Sequence, residues 1–167
     1  MADQNETSET AASSPAEPPV QVRVVSQFIK DVSFENPSVE RMLKGPAEEP
    51  QLKLEVNVNA RHMEGSLFES VIDFHANATS KDGVIYALEC TYGGVFEIRK
   101  MPKDAVEPFL LVNCPALLFP FLRRLAADIT REGGFPPLLL DPIDFGQLYM
   151  KRKQEEQAGA TPNGKTN

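Results

Sequence analysis

The stretch Asn113–Phe145 reads Asn-Cys-Pro-Ala-Leu-Leu-Phe-Pro-Phe-Leu-Arg-Arg-Leu-Ala-Ala-Asp-Ile-Thr-Arg-Glu-Gly-Gly-Phe-Pro-Pro-Leu-Leu-Leu-Asp-Pro-Ile-Asp-Phe and joins a strongly apolar helix to a proline-studded loop. Leu118, Phe121, Leu122, Leu125, Ala126 and Ile129 recur at spacings of three and four, which sets them on one stripe of a helix, with Arg123, Arg124 and Asp128 largely elsewhere. Pro115 suits a first helical turn, whereas Pro120 is expected to kink or restart the helix unless it lies in that turn. Gly133 and Gly134 predict a left-handed C-cap. Asp141, Pro142 and Asp144 mark a second helix start, with Phe145, Leu148 and Tyr149 as its apolar stripe. Upstream, Asp104 and Glu107 form a capping-box-like start, and Met101 to Val112 reads either as a separate short helix or as the first part of the kinked one.

The N-terminal half alternates with the period of strands. Val20, Val22 and Val24 open a strand expected to continue through a bulge towards Phe34, and Glu35-Asn-Pro37 breaks it. Residues 38 to 50, ending in Gly45-Pro-Ala-Glu-Glu-Pro50, read as a long connection from one sheet edge to another. Leu52, Leu54, Val56, Val58 and Ala60 then face opposite to Lys53, Glu55, Asn57, Asn59 and Arg61. After a turn at Met63–Ser66, Phe68, Ile72, Phe74, Ala76 and Ala78 oppose Glu69, Asp73, His75 and Asn77. A second turn, Ser80–Gly83, leads to Val84–Tyr92, which is apolar on both faces, so its outer face is covered either by another subunit or by the chain's own helices. Strands first and helices second predict an α+β fold.

With 167 residues and 41% hydrophobic content, the chain is sized for about one domain with a real core. Residues 1–20 carry Asp3, Glu6, Glu9 and Glu17 without a cation, so they are expected to form a flexible acidic tail, with a second flexible tail over 156–167 and a globular domain over 21–155. A net charge of −7 argues against nucleic acid as partner, the longest basic run being Lys151-Arg152-Lys153. No stretch is expected to reach the roughly 18 apolar residues that span a bilayer, and the N-terminus lacks a signal-peptide pattern, which predicts a cytoplasmic protein. Cys90 and Cys114 are then expected as reduced thiols.

Catalytic chemistry finds little support. His62 and His75 lie on neighbouring predicted strands, but no ligand spacing joins them to Cys90 or a carboxylate, so neither metal nor cofactor is expected. Gly93-Gly94 reads as a bulge or a close backbone approach instead of a phosphate loop. Asp31, Glu35 and Glu89 admit three readings: an acid and base pair of a small-molecule enzyme, solvated surface acids, or a docking patch for a basic segment.

The run from Asn113, with Lys30-Asp-Val-Ser-Phe-Glu35 and Gly93-Gly-Val-Phe96, resembles the SecB family of bacterial protein-export chaperones over about residues 22 to 150. The resemblance implies a four-stranded antiparallel sheet with a long crossover connection, C-terminal helices packed on one face, and a homotetramer built as a dimer of dimers. It implies ATP-independent holding of unfolded precursor proteins and delivery to SecA, the translocase ATPase, whose basic tail would dock on Asp31, Glu35 and Glu89; Ala87 stands where the family carries a leucine. Leu88, Cys90 and Tyr92, with Leu118, Phe121 and Leu125 of the helix, are assigned to the oligomer interface. A client groove would use Leu52, Leu54, Val56, Tyr86, Leu148 and Tyr149 with Met42 and Leu43, and Glu48 stands where better-known members place an aromatic. A SecB-like chaperone of a toxin–antitoxin system is the alternative within the family.

Overall fold

The computed structural model describes residues 19–37, 39–40 and 50–159. Met42, Leu43 and Glu48 lie outside the described residues, as do positions 1–18 and 160–167 of the expected tails. Four antiparallel strands, β1 (Gln21–Glu35), β2 (Gln51–His62), β3 (Leu67–Ser80) and β4 (Gly83–Arg99), form one sheet in the order β1-β4-β3-β2. The strands β1 and β2 are consecutive in the chain yet occupy opposite edges, so the segment between them joins the two edges, as its length and prolines predicted. The helical elements α1 (Lys103–Pro108), α2 (Cys114–Glu132) and α3 (Phe145–Gly159) follow, giving the expected α+β order. The helix α3 continues past residue 155, where the domain was expected to end.

The strand β4 is longer than its alternation suggested, running through Gly93 and Gly94 to Arg99. The glycine pair makes no bulge: its pairing with β3 is unbroken there, and the irregularities fall on β1, between Val24 and Ser26 and between Ile29 and Asp31. The close approach is real. A Cβ on Gly94 would lie 2.9 Å from Leu118 Cδ2 of α2, and one on Gly93 would lie 2.8 Å from Val71 Cγ1 on the opposite face. Glycine therefore lets α2 settle against backbone on one side of the sheet and lets Val71 and the Phe28 ring close over it on the other.

Lys103 to Glu132 forms one continuous helical run, with a single π-helical turn at Phe109–Asn113 between α1 and α2. That turn has a chemical origin. The Cys114 N–H bonds the Phe109 carbonyl five residues back, and the next donor in the pattern, Pro115, has no N–H. The buried Ser70 hydroxyl of β3 donates to the Leu110 carbonyl instead, at 2.8 Å, and so ties the helix to the sheet. Two expectations are corrected here. No side chain caps the start of α1, whose N-cap is Pro102; Asp104 sits in the first turn and Glu107 pairs with Lys153 of α3. Pro120 lies inside α2 without restarting it, its missing N–H facing the exposed side near Ala116.

A further correction concerns length. Lys103–Glu132 is long and apolar enough, by length and composition, to cross a membrane, with a mean hydropathy of 1.7 over its best 18-residue window. In this fold the stripe lies on the sheet: Cys114, Leu118, Leu122 and Ala126 are buried with Ile72, Phe74, Leu88, Cys90 and Phe96. Burying one such leucine stabilises by roughly 1.5–3 kcal/mol. The C-terminus of α2 is closed by Gly134, at φ 87°, in a Schellman arrangement: Gly134 N–H bonds Arg131 O at 3.0 Å and Phe135 N–H bonds Thr130 O at 3.1 Å. Buried Thr130 then accepts the Leu138 N–H at 2.9 Å, pinning the proline loop to the helix. Asp144 caps α3 through the Gln147 N–H, 2.9 Å away.

Candidate functional site

The helices cover one face of the sheet and leave the other open. Register follows from the ladders: Asp31 pairs with Thr91, Ser33 with Glu89 and Glu35 with Ala87, so Asp31, Glu35, Ala87 and Glu89 share the open face at the β1 edge. The three acids are exposed and Ala87 is half-buried between them. Glu89 also lies 3.6 Å from His75 Nδ1 on β3. Further along the same face Glu69, 6% exposed, receives hydrogen bonds from Lys30 at 3.2 Å and from Arg61, and the Arg61 contact, with Lys30 adding to it, holds its carboxyl below the ordinary glutamate range.

The covered face carries two apolar regions. Leu52, Leu54 and Val56 line the helix side of the edge strand β2, with Leu52 and Leu54 exposed by 42% and 44%. The helix α3 lies beside that strand, where Arg152 Nη1 donates to the Val58 carbonyl at 3.0 Å. Leu148 and Tyr149 are half-buried on α3, and Leu148 packs against the core. Tyr86 sits one row from Leu88 and is buried, stacked on Phe34 at 5.7 Å and tilted against Phe135 at 4.9 Å between ring centroids. Burial raises the Tyr86 phenol above its ordinary value. At the other flank, Tyr92 stacks on Phe121 at 6.4 Å, and Phe121, Leu117, Val24, Ile29 and Val32 remain 40–50% exposed because the helix layer does not reach β1 there.

A family model described as preprotein translocase subunit SecB matches residues 15–156. The chain is a member of the SecB family. Protein-export protein SecB of Afipia carboxidovorans is 44% identical over 160 residues, covering 94% of this chain and 99% of that protein. The protein of the same name from Agrobacterium fabrum is 46% identical over 139 residues, 83% of this chain and 87% of its own length. A solved structure of a SecB-like chaperone from Mycobacterium tuberculosis, in complex with an antitoxin peptide, aligns with a TM-score of 0.58 at 14% identity over 73% of this chain and 90% of that one, a likeness of fold.

Within this SecB-family chain the residues that the resemblance assigned to an interface separate into two groups. Leu88, Cys90 and Leu118 are at most 3% exposed inside the chain's own core, where α2 covers the inner face of β4. Burial lifts the Cys90 thiol to about 11 and Cys114 to about 12, with Asp31 adding to the effect at Cys90. Tyr92, Phe121 and Leu125 stay on the flank. Sequence reasoning missed Phe34 and Phe135 as the partners of Tyr86, although Phe34 alternates with Ser33 and Glu35 and so had to face the helices. It also missed the cluster of Lys30, Arg61, Glu69 and Asp73; Lys30 falls in a register shift that alternation cannot place.

Proposed function

We propose that this chain is an ATP-independent, non-enzymatic chaperone of protein export that acts in the cytoplasm as a homotetramer, holds unfolded precursor proteins and passes them to SecA. The observation that carries the reading is the family match over residues 15–156, met by a subunit whose charged and apolar surfaces lie on opposite faces of one sheet. The exposed side of β2 with Leu148 and Tyr149 supports extended, apolar client segments, where many weak contacts along one chain add up. A client that orders on binding loses conformational entropy, which keeps each contact releasable. The acids Asp31, Glu35 and Glu89 support docking of a basic segment of SecA, with Ala87 offering a shallow apolar spot between them. Tyr92, Phe121 and Leu125, with the uncovered side of β1, support assembly.

The test is the solution mass by light scattering after size separation, alone and with an equimolar unfolded client. A mass near four times 18.5 kDa that rises with unfolded but not folded client is expected; a monomer indifferent to client would overturn both assembly and holding.

A further inference from the structure

The open face is divided by charge. Towards the Glu35 end its rows carry Asp31, Asp73, Glu55, Glu89 and Glu35, with Lys53 and His75 as the opposing groups; towards the Gln21 end they carry Arg23, Lys30, Arg61 and Arg99 against Glu69 and Glu97. At the border lies a hollow of about 400 Å³ whose lining includes Lys30, Asp31, Arg61, Glu69, Asp73 and Thr91. Val71 and Ala60 are the apolar residues of its lining, and Val71 packs with Phe28 over Gly93.

The carboxylates of the hollow differ in what already satisfies them. Glu69 is neutralised by Arg61 and Lys30. Half-buried Asp73 has one oxygen accepting the Thr91 hydroxyl at 2.7 Å and the other accepting Asn59 Nδ2 at 2.8 Å. Both donors are neutral and come from the flanking strands, so they fix the carboxylate without cancelling its charge, and no ion pair reaches it among the described residues. Each oxygen retains acceptor capacity. Asp31 borders the same hollow and also belongs to the acidic edge.

We infer that the hollow is the anchor of the docking face: a basic partner segment lying on Asp31, Glu35 and Glu89 inserts one arginine or lysine side chain, whose cationic head meets Asp73. Lys30 and Arg61 repel a cation from the other wall, so the head has one favourable position, and the stem lies over Val71 and Ala60. This inference rests on the docking reading above and adds to it a residue, Asp73, that defines which part of the segment is gripped.

Binding of purified SecA to the full-length protein decides it, measured by calorimetry at 50 and 200 mM salt for the unchanged chain, Asp73→Asn, Asp73→Glu and Asp31→Asn. Asp73→Asn should weaken SecA binding about tenfold and flatten its salt dependence, with mass and client binding unchanged, while Asp73→Glu, which keeps the charge, should retain more of the affinity. Weakening by Asp31→Asn with none by Asp73→Asn overturns the anchor and leaves the docking reading intact. Equal losses for Asp73→Asn and Asp73→Glu, or a loss of client binding, also overturn the anchor. No change in any variant removes the docking reading itself.

Discussion

Thr130→Val tests the joint between α2 and the loop that leads to α3. Thr130 is fully buried; its hydroxyl donates to the Ala126 carbonyl at 2.8 Å and accepts the Leu138 N–H at 2.9 Å. Valine has nearly the same shape and helix propensity, so packing and helix formation change little. The Leu138 amide, on a residue only 8% exposed, is left without its acceptor, at a cost of about 1–3 kcal/mol. The Ala126 carbonyl loses only a second donor beyond its helical bond. A net loss of about 2 kcal/mol follows for valine, whereas Thr130→Ser keeps the hydroxyl and loses one buried methyl, about 1 kcal/mol. The expected order is threonine, then serine, then valine, with valine last where hydrophobic burial alone would put it first. Urea unfolding at one fixed protein concentration measures it, since the stability of an oligomer depends on concentration. Amide exchange over 135–140 should be about 30-fold faster in the valine variant. Valine within 0.5 kcal/mol of the unchanged chain, or serine below valine, would refute the reasoning.

At Glu69 the carboxyl is held below the ordinary glutamate value of 4.5 by Arg61 first and Lys30 after it, so its contribution is fully present above that value and fades as pH falls through the depressed folded value. Glu69→Gln should therefore lower unfolding stability at pH 7 and leave a smaller difference at pH 3; an equal difference at both would contradict the pairing. Cys90 and Cys114, raised to about 11 and about 12 by burial, should react with a thiol reagent at pH 8 at least about a hundredfold more slowly in the native protein than in urea, followed by mass spectrometry. Rapid native labelling would show that the core opens more readily than its packing implies. Phe121→Glu, at a residue 50% exposed beside Tyr92, should lower the solution mass without loss of helical circular dichroism, and an unchanged mass would place assembly elsewhere.

Sequence periodicity located the elements wherever one physical demand governed a segment. The alternation of Leu52 to Arg61 and Phe68 to Ala78 is that of a sheet with one covered face, and the stripe Leu118–Leu122–Ala126 is that of a helix lying on it. It failed where two demands met. Gly93 and Gly94 read as a bulge or a close backbone approach, and only the structure separates the two: the strand is unbroken, and Leu118 on one face with Val71 and Phe28 on the other make the approach. Met101 to Val112 reads equally as a separate helix or as part of a kinked one; one π-helical turn and the Ser70 hydroxyl absorb the donor missing at Pro115 and keep the run continuous, and a side-chain bond from a strand 40 residues away leaves no local signal. The acids of the open face were legible as a family motif; Asp73 was not, because an aspartate on the polar side of a strand looks like any solvated residue until its Thr91 and Asn59 partners are seen.

At Gly93 and Gly94 two neighbouring residues of β4 leave room for others on opposite faces: Leu118 of α2 seats over Gly94, while Val71 and the Phe28 ring close over Gly93. The packing of the two faces is thus separated there by the backbone of a single strand. A tilt of α2 against Gly94 presses on the same stretch of backbone that Val71 and Phe28 touch at Gly93, and Val71 lines the charged hollow, so strain introduced on the helix side has one side chain to cross before it reaches the other surface.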